Sequence, residues 1–445
     1  MEGGETPCKV LVLTPTNKAA DVLVRKIMEI SGEDNSYDAW LARIGITEDE
    51  VIESSPVFRE KALDAQSMSK CVAVTTIARY SYDALIPEKG GTQRLNEIDW
   101  DYIVVDEASM IPLADIVFLL YRQKPKKFII AGDPFQIEPI VSQEAWKDEN
   151  IYSLVKLDSF DRPSTIPHPY KVETLNTQYR SIPEIGDVFS NFAYGGKLAH
   201  FRTSSKRKDL HLEDLGVRPL NIIKYPVRKY ESIYRAKRLQ NSPYQVYSAL
   251  LTVEYIRFLA DEISRRNPGQ GATIGVISPY RAQGQIIDRL LSRETLPDGI
   301  KVTSGTVHKF QGDECDIIFA VFNAPANLSN PDNMHINKKN IINVAVSRAR
   351  DYLFAVIPDD NTENVENLKQ IKRIESLMER SGDYSVMSVD EIERQIFGCS
   401  RYLENNVFST GHQDVNVYDR PEKMYEIRTE DDAVDIQLHP SGVKG

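Results

Sequence analysis

Short apolar runs that end in turns, each followed by apolar positions at helical spacing, recur along the chain and predict alternating strands and helices. Lys9 to Leu13 reads as a buried strand. Thr14-Pro15-Thr16-Asn17 reads as a turn with capping residues, after which Ala20, Leu23, Ile27 and Ile30 keep helical spacing. Residues 31–70 are polar and read as a helical insertion or stalk, and Val72 to Thr75 and Tyr102 to Val105 supply further strands. Residues 141–172 lack periodicity and hold Pro163, Pro167 and Pro169, which marks an interdomain crossing. In a second alternating unit, Ser242-Pro243 reads as an N-cap with proline at the first helical position. Val246, Leu250, Val253, Leu259 and Ile263 then share a helical face. Ala272 to Ser278 is a strand, Gln283 to Leu291 a helix, and Val302 to Val307 and Asp316 to Phe322 strands. Asn340 to Arg350 reads as helix and Tyr352 to Ile357 as strand. The alternation predicts an α/β fold, with parallel sheets covered by helices.

Composition narrows the class. The chain has 445 residues, enough for two or three domains, and its 41% hydrophobic and 27% charged residues fit a globular protein. No run approaches the roughly 18 apolar residues of a membrane span, and Met1-Glu2-Gly3-Gly4-Glu5 has no secretory character. Four cysteines lie far apart without zinc spacing, so no structural metal is expected and a reduced cytosolic or nuclear setting is. The net charge of −11 opposes a nucleic-acid partner on average. Its distribution does not: residues 201–240 hold eleven Lys/Arg against four Asp/Glu, whereas residues 381–445 hold six against thirteen. Lys206-Arg207-Lys208 reads equally as a basic track or a solvated loop.

The candidate chemistry starts at Ile103-Val104-Val105-Asp106-Glu107-Ala108-Ser109, an apolar strand that ends in adjacent carboxylates. Carboxylates at a buried strand end are costly unless they hold a cation or a hydrogen-bonding partner. In nucleotide hydrolases the Asp holds Mg²⁺ and the Glu polarises the attacking water. Gly132-Asp133-Pro134-Phe135-Gln136 follows a second apolar run, Phe128 to Ala131. Thr14 to Lys18 and Val74-Thr75-Thr76 each read either as strand-to-helix turns or as contacts to a phosphate backbone through hydroxyls and helix amides. Gln178-Tyr179-Arg180 reads as packing plus an ion pair, or as a ring on a base and a guanidinium on a phosphate. Gly305 to Glu314 concentrates polar groups between two strands, as a ligand-facing loop does. Asn343 to Arg350 places Arg348 and Arg350 on a helix, one a surface charge and the other an arginine finger.

The order of TPTNKAAD, VVDEAS, GDPFQIEP, LNTQYRSIPEI with FAYGGKL, SPYRAQ, GTVHKFQGDECD and NVAVSRAR resembles the motif ladder of superfamily 1 helicases. It is most similar to the 5′→3′ branch that includes the nonsense-mediated-decay RNA helicase and its DNA-helicase relatives, over roughly residues 9–357. The resemblance implies two RecA-like domains, residues 1–160 and 161–365, with 366–445 as an acidic C-terminal extension. It implies ATP and Mg²⁺ as cofactors, with ATP between the two domains, and single-stranded DNA or RNA as partner. By the same resemblance Asp106 binds Mg²⁺ through water, Glu107 is the catalytic base and Gln136 senses the γ-phosphate. Tyr179 stacks on adenine, Arg180 and Arg348 contact the γ-phosphate, and Gln311 and Glu314 lie near the ribose. Thr16, Asn17, Thr75, Thr76, Pro279, Tyr280 and Thr306 face the nucleic acid. His308 stands where many relatives carry Asp and takes no role.

The ladder lacks one rung. No GxxxxGK[ST] loop, whose amides and lysine hold the β- and γ-phosphates, occurs in the sequence. The expectation is therefore a helicase fragment completed by an upstream loop, the first domain lacking its opening strand, and weakly active or inactive alone. The alternative is an inactive nucleic-acid-binding or regulatory module.

Overall fold

A computed structural model describes residues 8–32, 36–65, 67–87, 90–139, 141, 146, 149–157, 171–227, 233–310, 313–323, 334–358, 367–409, 416–420, 423–430 and 433–439. Its contacts divide the chain into two units, Met1–His168 and Pro169–Gly445. Among the described residues no helix is long and apolar enough to cross a membrane.

The first unit starts with β1 (Cys8–Thr14), whose continuous apolar run suits a strand covered on both faces. Helix α1 (Asn17–Ser31) follows, with Thr16 Oγ1 accepting from the Ala19 amide at 3.2 Å as N-cap and Gly32, at φ +85°, ending it. Residues 31–70 depart from the expected helical stretch. They hold the short helix α2 (Glu50–Glu53), but also β2 (Leu41–Ile44) and β3 (Phe58–Glu60). Leu41, Ala42 and Ile44 are fully buried, so tertiary burial overrides the polar average of the segment. Next come β4 (Lys70–Thr76), α3 (Ile77–Tyr82), the small hairpin β5 (Ala84–Leu85) with β6 (Gln93–Arg94), and β7 (Tyr102–Val105). Helix α4 (Leu113–Arg122), β8 (Lys127–Ile130) and α5 (Ile151–Leu154) complete the unit.

Its sheet runs β3-β2-β4-β1-β7-β8, with every ladder parallel. Leu11, Leu13, Ala73, Ile103 and Val105 face one core, closed by Ile77 and Tyr80 of α3 and Ile116 and Leu119 of α4. Val12 and Val74 face the other, closed by Ala20 and Val24 of α1. Because the strands are parallel and in register, Thr14, Thr76 and the residues just past Val105 and Ile130 share one sheet edge. Open parallel sheets bind ligands at this carboxyl edge.

The second unit contains β9 (Thr177–Gln178), α6 (Pro183–Ala193), β10 (Ala199–His200) and β11 (Leu220–Tyr225). A hairpin of β12 (Lys237–Leu239) and β13 (Ser242–Tyr244) precedes α7 (Val246–Arg266). Ser242-Pro243 therefore does not open α7, as the sequence suggested. The ladder Leu239↔Ser242 and Arg238↔Pro243 takes these residues as strand, and Gln245 stands at the N-cap of α7. Ser242 caps a different helix: its Oγ accepts from the Ala282 amide at 2.9 Å, in the first turn of α8 (Arg281–Leu291).

Strand β14 (Ala272–Ser278) leads into α8, and β15 (Ile300–Thr306), β16 (Cys315–Val321), α9 (Lys339–Ser347) and β17 (Ala349–Pro358) follow. The helix expected over 340–350 ends at Ser347, because pairing of Ala349 with Cys315 already belongs to the sheet. Beyond residue 365 the chain supplies α10 (Lys369–Arg380), β18 (Tyr384–Ser388), α11 (Val389–Phe397) and α12 (Tyr402–Asn406). Antiparallel β19 (Val407–Ser409), β20 (Asn416–Arg420), β21 (Lys423–Glu430) and β22 (Ala433–His439) close the described chain. The main sheet, β15-β14-β16-β17-β11-β18, is wholly parallel. Helices α7 and α8 cover one face, where Phe319 and Phe354 stack at 4.4 Å and Tyr255 meets both edge-on. Helices α6, α9 and α10 pack together and against β17, β16 and β11. Each unit is thus a three-layer RecA-like α/β fold.

Candidate functional site

In the first unit, the β7 ladder carries Asp106 to the carboxyl edge, where its amide donates to the Leu13 carbonyl at 2.9 Å. Its Oδ1 accepts from the Glu107 amide at 3.0 Å. Glu107 lies in the left-handed region at φ 50° and ψ 43°, a conformation that costs a non-glycine residue about 1–2 kcal/mol. The Ala108 amide then donates to the Ala131 carbonyl at 2.9 Å and locks the turn to the end of β8. Gly132, at φ +153°, is required here: a Cβ would come within 2.8 Å of the Ala108 nitrogen and 2.9 Å of the Tyr152 hydroxyl. Asp133 accepts from the Phe135 amide at 2.8 Å and from Gln136 Nε2 at 3.3 Å, so Gln136 joins the acidic turn.

Sequence reasoning missed Tyr152. It projects from α5, a single turn closed by an Asn150–Ser153 capping box. Its hydroxyl is buried and has no hydrogen-bond partner among the described residues. Burial first, and the charges of Asp133, Glu107 and Asp106 after it, push this phenol up. No local motif signals it, because it reaches the acids only through the fold. The buried Ser109 hydroxyl is likewise unpartnered. Unsatisfied hydroxyls beside a carboxylate turn fit a bound metal–phosphate group with its waters. Among the described residues no three His, Cys, Asp or Glu converge to hold a metal. The Asp106 carboxylate is a hard oxygen donor of the kind Mg²⁺ takes, which is usually held by one or two carboxylates plus substrate phosphates.

At the same edge, Asn17 opens α1 and its Oδ1 accepts from Arg43 Nη2 at 3.2 Å. Arg43 is fully buried. It pairs with Asp21 at 2.6 Å, donates to the Ile46 carbonyl at 2.6 Å and also reaches the Ile44 carbonyl. This arginine, unremarked in the sequence, fixes the helix start that carries Thr16 and Asn17. Thr75 is fully buried and donates to the Ile44 carbonyl at 3.0 Å, so its side chain serves the sheet. Thr76, at the N-cap of α3, makes no side-chain cap bond.

In the second unit, Gln178 folds its own turn. Its Oε1 accepts from the Arg180 and Ser181 amides at 3.0 and 2.9 Å, and its Nε2 donates to the Ser181 carbonyl at 2.9 Å. Tyr179 is 64% exposed. Its ring lies 4.6 Å from that of Phe201, a neighbour that no sequence motif marks. Arg180 Nε donates to Glu314 at 3.0 Å and Nη1 to the Ser347 carbonyl at 3.0 Å. The other Glu314 oxygen accepts from Arg350 Nη1 at 2.8 Å. Arg348 is buried at the C-cap of α9 and Arg350 lies in β17, so the two do not share a helix. Arg202 supports the group from below, donating to the Arg180 carbonyl at 2.7 Å and pairing with Asp351 at 2.6 Å. Gln311 lies outside the described residues.

Pro279, Tyr280 and Thr306 gather at the carboxyl edge of β14 and β15, where Ser278 pairs with Thr306. The Tyr280 ring stands 5.8 Å from that of His335, and burial raises the Tyr280 phenol to about 12. Burial lowers both His308 and His335, and the proximity of His308 and Lys338 adds to the effect on His335. The basic run of residues 206–208 is mostly committed internally: Arg207 pairs with Glu213 at 3.0 Å and Lys208 with Asp316 at 2.9 Å.

Residues 157–360 match an AAA domain family. The chain is 26% identical over 362 residues to the replicase polyprotein 1ab of Alphamesonivirus 1, covering 80% of this chain and 6% of the polyprotein. It is 29% identical over 273 residues to the DNA replication ATP-dependent helicase/nuclease dna2 of Schizosaccharomyces pombe, covering 57% and 18%. It is 26% identical over 388 residues to the 5′-3′ DNA helicase ZGRF1 of Mus musculus, covering 80% and 19%. The chain thus spans less than a fifth of the length of each of these curated relatives. With the ordered motifs and two RecA-like units, these matches support a likeness of the chain to the superfamily 1 DNA/RNA helicases.

Proposed function

We propose that the chain carries most of the motor of an ATP-dependent helicase that translocates on single-stranded nucleic acid. The observation that carries this reading is the Asp106–Glu107 turn, held in a strained left-handed conformation at the carboxyl edge of a parallel sheet. A fold retains such strain where the surroundings over-determine it, commonly at active sites.

Asp106 would hold Mg²⁺, which when bound neutralises charge on the phosphates. Glu107 orients the attacking water and takes its proton, and Gln136 meets the γ-phosphate. Arg180 and Arg348 neutralise the transferred phosphoryl, and Tyr179, backed by Phe201, stacks on the adenine. Thr16, Asn17, Thr76, Pro279, Tyr280 and Thr306 face the strand, and Glu314 orients Arg180 beside the nucleotide. Thr75 supports this surface from within.

A phosphate loop must complete the site, since the 445 residues contain no GxxxxGK[ST]. The same lack favours a second reading, an inactive nucleic-acid-binding module. ATP turnover of a version extended upstream, with and without single strands, separates the two. Strand-stimulated turnover that Glu107→Gln abolishes supports the motor. Equal turnover with and without strands, or an unaffected Glu107→Gln, defeats it.

A further inference from the structure

A groove of about 520 Å³ lies in the second unit between α6 and α10, and none of the residues assigned above lines it. Its lining includes Asn191, Ser376 and the cations Lys369, Lys372, Arg373 and Arg380, without a single carboxylate. The cations fall on one side of α10 by their spacing, while Ile371, Ile374 and Met378 form its buried side. A stripe of one sign on a chain of net charge −11 is a local feature rather than an average one.

Part of the groove is held in place. Arg373 donates to the Asn191 carbonyl at 3.2 Å, and its guanidinium lies 5.2 Å over the Phe192 ring. From Lys369 to Arg380 the helix rises about 16 Å, longer than one phosphate needs. The groove also continues a surface already described. Asn337 Nδ2 donates to the Asn367 carbonyl at 2.7 Å, just before α10, and Asn337 ends the short turn that begins with His335, whose ring meets Tyr280.

We propose that the α10 groove binds the phosphate backbone of single-stranded nucleic acid and lengthens the track past Tyr280. The inference rests on the single-strand reading above. Spaced cations with a hydroxyl suit a polyanion read by its backbone, without sequence preference.

Fluorescence anisotropy of a labelled single-stranded oligonucleotide, titrated with the whole chain across a salt series, tests it. Tyr280→Ala serves as the reference for the track, and Lys372→Gln/Arg380→Gln removes two groove cations without touching the Arg373 packing. The double variant should weaken binding about tenfold and reduce the salt slope by about 1.4, with a melting temperature within about 4 °C of wild type. If Tyr280→Ala weakens binding while the double variant keeps wild-type affinity and slope, the groove proposal fails and the single-strand reading stands. No salt-dependent binding by the wild-type chain overturns both. Inorganic phosphate supplies the last arm: if it raises the melting temperature of wild type but not of the double variant, and oligonucleotide affinity is equal in the two, the groove takes an isolated phosphate and the proposal is overturned.

Discussion

Glu314 accepts Arg180 Nε at 3.0 Å, while its other carboxylate oxygen holds Arg350 Nη1 at 2.8 Å. One carboxylate therefore sets the direction of an arginine proposed to meet the phosphate. Exposed pairs of this kind contribute at most about 1 kcal/mol each to stability. Losing both pairs, Glu314→Ala should lower the melting temperature by at most about 4–8 °C. It should lower turnover in the upstream-extended protein about tenfold to a hundredfold, because a misplaced catalytic group is costly. Steady-state ATPase assays beside thermal melts check this, and unchanged turnover would show that Arg180 needs no such guide.

Arg43 makes the opposite kind of contribution. It is fully buried and bonded to Asp21, Asn17, Ile44 and Ile46. Arg43→Met should cost about 3–5 kcal/mol, since it strands a carboxylate and several carbonyls. Arg43→Lys should recover only part, because a point charge cannot replace the planar fork. Urea unfolding of the three proteins is the measurement. A loss below about 1 kcal/mol for Arg43→Met would contradict the buried network.

Glu107→Gly should separate stability from activity. Glycine relieves the left-handed conformation at φ 50° but adds unfolded-state freedom, leaving a net gain of up to about 1 kcal/mol. The same change should abolish strand-stimulated ATP turnover in the extended protein. Destabilisation by more than about 1 kcal/mol in the melt would show that the Glu107 side chain supports the turn through its contacts.

The second unit should lose stability as pH falls from about 7 to about 5.5 through its histidines. His308 and His335 are held neutral by burial, with His308 and Lys338 adding to the effect on His335 and the Pro279 carbonyl opposing it. Their folded values lie below the unfolded value of about 6.5. Above that value both states are neutral and nothing is lost. Below it the unfolded chain gains protons that the native state resists, so stability falls. Burial raises Asp351 and Glu393, which act with the opposite sign over acidic pH. The comparison is therefore wild type against His335→Gln in urea titrations at several pH values, and the variant should lose less on acidification. Parallel pH profiles would refute the assignment.

What the sequence disclosed follows from how local each signal is. The strands at β1, β7, β14 and β17 announce themselves as apolar runs, and Asp106, Glu107, Gln136 and Arg180 fall in turns that follow such runs or open the second unit. Contacts across the fold were hidden. Ser242 reads as the cap of the next helix, yet it caps α8, 40 residues further on. Arg43 lies in a polar segment and becomes a core residue only when β2 joins the sheet. The end of α9 at Ser347 carries no glycine or proline and is imposed by the ladder to β16. Tyr152 sits in the stretch without periodicity, no motif marks Phe201, and only the folded chain brings them to the acids and to Tyr179.

Strand β11 has a consequence for synthesis on the ribosome. Its partners in the sheet are β17 and β18, through Leu220↔Leu353 and Leu220↔Tyr384. Both emerge long after it. A nascent chain therefore presents an apolar, unpaired strand until more than a hundred later residues have left the exit tunnel, the kind of surface that chaperones recognise. Late, non-local closure of this kind also slows folding. The second unit is thus completed from its C-terminal side, and the motif arginines reach their final places only when β17 docks.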